Sequence, residues 1–381
     1  MPHDQSLGKQ GGSEGRQKRF DCNKALPGHH AQWVRPDLTR PCVVFLTMPA
    51  PDPNFLLQEA VDLHQRGALD AARERYRELL RRQPRNVDAL YLLGLLLCQS
   101  GEVAAGVKRL RKAISLVPAH APAHNTLGMA LREMGRFEEA LASFERAIAC
   151  DPGLAEAHAG TADTLRQLGR GPEALAGYER ALALNPYLPA AWCNRGVLLQ
   201  ELERHEEAIA CYDQATALEP DFAEVWLNRG RALRALGRSD EALASCERAL
   251  AARPDFADAH LGSGLVLKDQ GRLAEALAAF ERVLALRPQW AEIHCERADT
   301  LDRLAAYPEA LVACDQAIAL DPGLVMPWLL RARLHYDVRN FDEASASVER
   351  ALALEPERAD AHALRDAITA ERQSREVEPP G

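Results

Sequence analysis

Nine prolines recur along this chain at a constant interval of 34 residues: Pro84, Pro118, Pro152, Pro186, Pro220, Pro254, Pro288, Pro322 and Pro356. A period held over nine copies marks an internal repeat, in which each unit buries its apolar face against the next. With each proline at position 32, the units begin at residues 53, 87, 121, 155, 189, 223, 257, 291 and 325. Position 8 is then never larger than alanine, running from Ala60 and Gly94 to Ala332. Position 20 is alanine in every unit except at Gly106, and position 27 is alanine except at Leu79 and Val283. Helices approach to roughly 8–10 Å only where crossing side chains are small. The pattern therefore predicts a helix pair per unit, the first near positions 2–14 and the second near 18–30.

The turns agree. Position 15 is glycine in six units, where a left-handed residue can end the first helix; Glu203, Ala305 and Arg339 replace it in the others, and those turns are expected to be costlier but intact. Proline at position 32 stops the second helix, because it lacks an amide proton and disfavours helical geometry before it. Residues 359–373 read as a further, unpaired first helix in which Ala361, Leu364 and Ile368 cover unit nine, the role of a capping helix, with a flexible tail over 374–381. A length of 381 residues would ordinarily suggest two or three domains, but one stacked array accounts for most of it.

The N-terminal stretch differs. Residues 1–47 hold seven Lys or Arg against four Asp or Glu and lack helical periodicity, whereas the remainder carries 39 basic and 51 acidic residues within a total net charge of -9. Residues 1–52 are expected to form a disordered or loosely ordered arm, or else translation starts naturally at Met48. The acidic excess argues against a nucleic-acid binder or a membrane-surface protein. No apolar run approaches the roughly 20 residues of a membrane span. Nine scattered cysteines without a C-x-x-C pair suit a reducing compartment and give no metal signal. A cytoplasmic location is expected.

The repeat resembles the tetratricopeptide repeat family. The W-x-x-x-G spacing recurs as Trp192 to Gly196 and Trp226 to Gly230, and an A-x-x-x-F/Y-x-x-A block as Ala140, Phe144, Ala147 and Ala208, Tyr212, Ala215. The resemblance spans 53–356 and implies an all-α solenoid, a right-handed superhelix of antiparallel helix pairs with the first helices lining its concave face.

No phosphate-loop, dinucleotide, nucleophile-elbow or H-E-x-x-H motif occurs. His124, His158, His260 and His294 share position 4 with Trp192, Trp226 and Trp328. They lie a repeat apart, too far for one metal with ligands about 2 Å away, so position 4 reads as a slot for a large ring. Cys246 and Cys314 share position 24 with aromatic residues and read as small core hydrophobes, while Cys193 and Cys295, at position 5, are expected to be more accessible. No catalytic residue, metal or cofactor is implied.

The resemblance points positions 2, 5, 6, 9, 12 and 13 into the concave groove. Position 12 supplies Arg132, Arg166, Gln200, Arg234 and Lys268 in the central units, position 9 adds Arg231, and position 6 adds Asn194 and Asn228. This set is the candidate partner-binding surface, suited to an extended acidic or backbone-recognised peptide, although Glu133, Glu201 and Asp269 beside it partly neutralise the stripe. A clamp for the acidic tails of chaperones is rejected, because no unit has Lys at position 5 or Asn at position 9. The repeat array is loosely similar to that of O-linked N-acetylglucosamine transferases through Asn194 and Asn228, but other units lack that asparagine and the chain is read as having no catalytic domain. The expectation is a non-catalytic adaptor or scaffold that binds a protein or extended peptide. An accessory, substrate-recruiting subunit of a separately encoded enzyme such as a glycosyltransferase is the alternative, with nucleic-acid binding a third class.

Overall fold

The computed structural model describes residues 52–377, with side chains to 373. By internal contacts the chain divides into Met1–Ala50 and Pro51–Gly381; the arm expected over 1–52 falls, apart from Asp52, outside the described residues.

Nineteen helices and no strands occupy the described residues. The first helices of the nine units are α1 (Pro53–Gln65), α3 (Val87–Gln99), α5 (Ala121–Glu133), α7 (Ala155–Gln167), α9 (Pro189–Glu201), α11 (Ala223–Ala235), α13 (Ala257–Asp269), α15 (Ala291–Arg303) and α17 (Val325–Asp337). The second helices are α2 (Leu69–Arg82), α4 (Val103–Leu116), α6 (Phe137–Cys150), α8 (Gly171–Leu184), α10 (His205–Leu218), α12 (Ser239–Ala252), α14 (Leu273–Leu286), α16 (Tyr307–Leu320) and α18 (Phe341–Leu354). Every helix starts one residue earlier than the spacing predicts. A last helix, α19 (Ala359–Val377), packs on α18 and α17. It runs past residue 373 into the segment expected to be flexible, because the first helix breakers after it are Pro379 and Pro380.

The pairs interlock where the sequence is small. Alanines at positions 20 and 27 are completely buried, Ala140, Ala208 and Ala215 among them. At position 8 the second helix's bulky residue comes against the first helix's backbone: a Cβ on Gly128 would lie 2.8 Å from the Phe144 ring, and one on Gly196 2.6 Å from Tyr212 Cε1. Phe144, Tyr178, Tyr212 and Phe280 fill these crossings at 0% exposure.

Each first helix ends in the same turn. In unit three Gly135 N donates to Arg132 O at 2.9 Å and Arg136 N to Leu131 O at 2.9 Å, while Gly135 has φ 70°. Glu203, Ala305 and Arg339 keep this hydrogen-bond pattern at φ 60°, 57° and 62°, and are the described non-glycine residues with positive φ. Arginines then open the second helices of units three to seven and grip a first-turn glutamate three residues on, as Arg170 does Glu173; the carboxylate also suits the positive helix end.

The ring slot at position 4 has a polar purpose. From unit three to the last helix, its ring nitrogen donates to the carbonyl of the preceding unit's proline. His124 reaches Pro118 O at 2.9 Å, Trp192 reaches Pro186 O at 2.9 Å, Trp226 reaches Pro220 O at 2.8 Å and His294 reaches Pro288 O at 3.0 Å. His158, His260, Trp328 and His362 repeat the bond. A carbonyl only accepts, so each of these histidines carries its proton on Nε2. Indole and imidazole interchange because both present an N–H about one ring's length from the helix, which is why tryptophan and histidine alternate there.

Two predictions follow from this packing. Ala208→Trp and Gly196→Ala overfill crossings with no free space and should each cost about 1–3 kcal/mol in thermal or urea melts; neutral behaviour would refute the register. Glu203→Gly, Ala305→Gly and Arg339→Gly remove a left-handed L-residue, and after glycine's entropic cost each should add about 0.5–1 kcal/mol.

Candidate functional site

Successive first helices pack against one another from α1 and α3 to α17 and α19, except that α13 meets α15 at most marginally, as second helices of successive units also do. The closer approach on the first-helix side makes it the inner face of the bend at the other junctions. Three clefts open along it. One, of about 500 Å³, lies over α5, α7 and α9 and is lined by Met129, Arg132, Asp163, Arg166 and Asn194. A second, also about 500 Å³, lies between α11 and α13, with Arg231, Arg234 and Asp269 around a floor of Leu261, Gly262 and Leu265. The third, about 370 Å³, spans α13, α15, α17 and α19 and includes Lys268, Glu296, Asp299 and Arg333 beside Met326, Leu329 and Leu330.

All seven residues singled out in the sequence lie on first helices, and Asn228 alone of them lines none of these clefts. Most of their polar groups are already engaged. Position 12 of one unit reaches positions 6, 9 or 13 of the next. Arg132 pairs with Asp163, which also accepts from Tyr178 Oη at 2.6 Å and Asn194 Nδ2 at 3.0 Å. Arg166 pairs with Glu201 at 2.7 Å, Arg234 with Asp269 at 2.6 Å, and Lys268 with Glu296 at 2.6 Å and Asp299 at 3.0 Å. Burial alone would lower the Lys268 pKa, yet its two carboxylate partners hold it above its ordinary value. Between units eight and nine the same link has its charges exchanged, with Asp302 at position 12 and Arg333 at position 9. The Asn228 amide lies close enough to the Cys193 thiol to pull its pKa down against the larger effect of burial.

Unit five interrupts the ladder. Its position 12 is Gln200, whose Oε1 accepts from Tyr212 Oη at 3.0 Å. The next unit's position 9, Arg231, consequently finds no carboxylate. Among the described residues Arg231 makes no hydrogen bond or ion pair and stands exposed at the edge of the α11–α13 cleft. The spacing rule that sets Arg231 apart from the other six pairs position 12 with the following unit, 28 to 35 residues on, and is not visible among chain neighbours.

Cys193 departs from its expected accessibility. It is 6% exposed, because position 5 faces the next first helix at this junction, and Cys295 is half-buried. Burial pushes the thiols of Cys193 and Cys246 up to about 11 and those of Cys295 and Cys314 up to about 12. Such thiols stay protonated at neutral pH and make poor nucleophiles. No group of three or more His, Cys, Asp or Glu among the described residues could hold a metal ion, and no described helix is long and apolar enough to cross a membrane.

The arrangement separates strong links from weak ones. Asp163 is 19% exposed and holds three donors, so Asp163→Asn should lower stability by about 1–2 kcal/mol. Glu201 is 50% exposed, so Glu201→Gln should stay within about 0.5 kcal/mol. Urea melts of the two variants check this ordering. Alkylation of the native protein at pH 8, mapped by mass spectrometry, should label exposed Cys150 well before Cys193, Cys246 or Cys314, and all should react once urea unfolds the chain.

A family model described as tetratricopeptide repeat matches residues 57–121, 125–189, 193–257 and 329–368, and a second of the same description matches 233–297. No curated protein matches the chain. Among solved structures, the C-terminal part of a repeat-containing protein from Cytophaga hutchinsonii is 18% identical with a TM-score of 0.53, over 63% of this chain and 98% of that one. In the Cut9–Hcn1 hetero-tetramer of the APC/C, the similar chain is 15% identical with a TM-score of 0.51, over 83% of this chain and 76% of that one. PilW, a type IV pilus biogenesis factor, is 25% identical with a TM-score of 0.50, over 55% of this chain and 97% of its own. The first two likenesses show the fold alone. With nine phased helix pairs and family models matched over more than half its length, the chain belongs to the tetratricopeptide repeat family.

Proposed function

We propose that this protein is a non-catalytic adaptor that holds a protein partner by an extended segment laid across its first-helix face. The observation that carries this reading is the cleft between α11 and α13, where an unpaired guanidinium stands over a floor of leucines. Arg231 would take a carboxylate or a main-chain carbonyl of the segment, since its fork presents several donors in one plane. Leu261 and Leu265 would seat an apolar side chain. Arg132, Arg166, Asn194, Arg234 and Lys268 fix the walls of the clefts through their links between units and, with Asn228, complete the contact surface with whatever donor capacity those links leave. Because the links are made before the partner arrives, little side-chain entropy remains to be lost on binding.

Photo-crosslinking tests the reading directly. With a crosslinking amino acid at Arg231 or Met129, in the groove, and at Arg180 or Arg282, on second helices, the full chain is exposed to native lysate. The groove positions should capture a shared protein that the second-helix positions miss, and Arg231→Glu should weaken its retention at least about tenfold with an unchanged melting curve. Capture of that protein equally from the second-helix positions would count against the groove.

A further inference from the structure

The second helices α2 and α4 differ in charge from the other seven. α2 carries five arginines against three carboxylates, and α4 carries Lys108, Arg109, Arg111 and Lys112 against none. Every later second helix is net negative, as in α6, where Glu138, Glu139 and Glu145 face one Arg146. Two of the three acids on α2 are occupied by its own arginines: Glu74 accepts from Arg77 at 2.9 Å, and Glu78 from Arg75 at 3.1 Å and Arg82 at 2.6 Å. Arg111 leans away to Glu139 on α6 at 3.3 Å. Arg81, Lys108, Arg109 and Lys112 are exposed, and their side chains make no hydrogen bond or ion pair among the described residues.

Two of these cations, Arg81 and Arg109, line a hollow. A cleft of about 360 Å³ between α2 and α4 is lined by Arg77, Arg81 and Arg109 over a floor of Leu80 and Leu93. It lies on the second-helix side of the array and is distinct from the groove described above. We propose that this cleft docks an acidic peptide segment, its carboxylates gripped by Arg81 and Arg109 and one apolar side chain seated on Leu80 and Leu93. Charge complementarity selects the sign of the partner, since two unpaired guanidiniums flanking one slot match carboxylates in bidentate geometry. The apolar floor selects a peptide. No aromatic ring lines the cleft to stack a base, and the positive charge stops at α4, too short a track for the phosphates of a duplex. A slot with a leucine floor also suits a side chain better than a flat array of lipid headgroups does.

Fluorescence anisotropy on the full chain tests this, with a labelled peptide of alternating glutamate and leucine as the probe. The peptide should bind at low salt and weaken as salt rises. Arg81→Glu with Arg109→Glu should reduce affinity at least about tenfold, and the glutamine pair by a smaller factor. Arg180→Glu with Arg282→Glu, exposed and unpaired on α8 and α14, should leave affinity unchanged. Circular dichroism of all variants should match the parent. Equal affinity in the charge-reversed pair, or no binding at low salt, would overturn the assignment. Tighter, Arg81- and Arg109-dependent binding of duplex DNA or of phosphatidylserine vesicles would overturn it in favour of that class.

Discussion

In seven of the nine units the two helices lie together because position 8 offers no more than a methyl group to a larger residue at position 24, cysteine taking that place at Cys246 and Cys314. Gly128 under Phe144, Gly196 under Tyr212 and Gly264 under Phe280 leave no space for another carbon. At Ala162, where position 8 is already alanine, a second small residue relieves the crowding: a Cβ on Gly177 would lie 2.9 Å from the Ala162 methyl. The proline at position 32 then ends the unit, and the ring at position 4 of the next unit binds that proline's carbonyl. Close approach sets the distance within a pair, and the ring bond ties the turn that launches the following pair. A residue at either place therefore acts on the geometry of its neighbours as well as its own unit, as a one-dimensional array requires.

Two sets of charges work between units. On the second-helix side, Arg229 reaches Asp213 of the preceding unit at 2.7 Å and Ser245 of its own at 2.8 Å, and Arg331 does the same with Asp315 and Ser347. On the first-helix side, position 12 reaches forward to the next unit. Most cations that look available in the sequence thus stabilise the array's geometry, and what remains for a partner is what these ladders leave over. Gln200 creates one such remainder at Arg231, and the run of cations on α4 without local acids creates another.

The proline interval and the small residues at positions 8, 20 and 27 made the helix pairs legible, because those constraints recur at fixed spacing and act through residue size. Position 4 was legible as a place for rings, but the proline carbonyl that explains the N–H bears no mark in sequence. The groove was harder. Along the sequence Glu133, Glu201 and Asp269 stand beside basic residues of their own unit, whereas in the fold Glu201 and Asp269 bind arginines of the preceding unit, 35 residues earlier. Chain adjacency gives little guidance to such a partner, so a stripe that reads as basic is largely neutral in the fold. Cys193 misled for a related reason: its exposure is decided by the neighbouring first helix rather than by its own helix face.

Hydrogen exchange on the full chain, alone and with the protein captured through Arg231, measures most directly whether the first-helix face is the working surface. Slower exchange in α11 and α13 and in the first helices beside them, with α10, α12 and α14 unchanged, is the predicted result. Protection confined to the second helices or the turns, with α11 and α13 exchanging as before, would contradict the account.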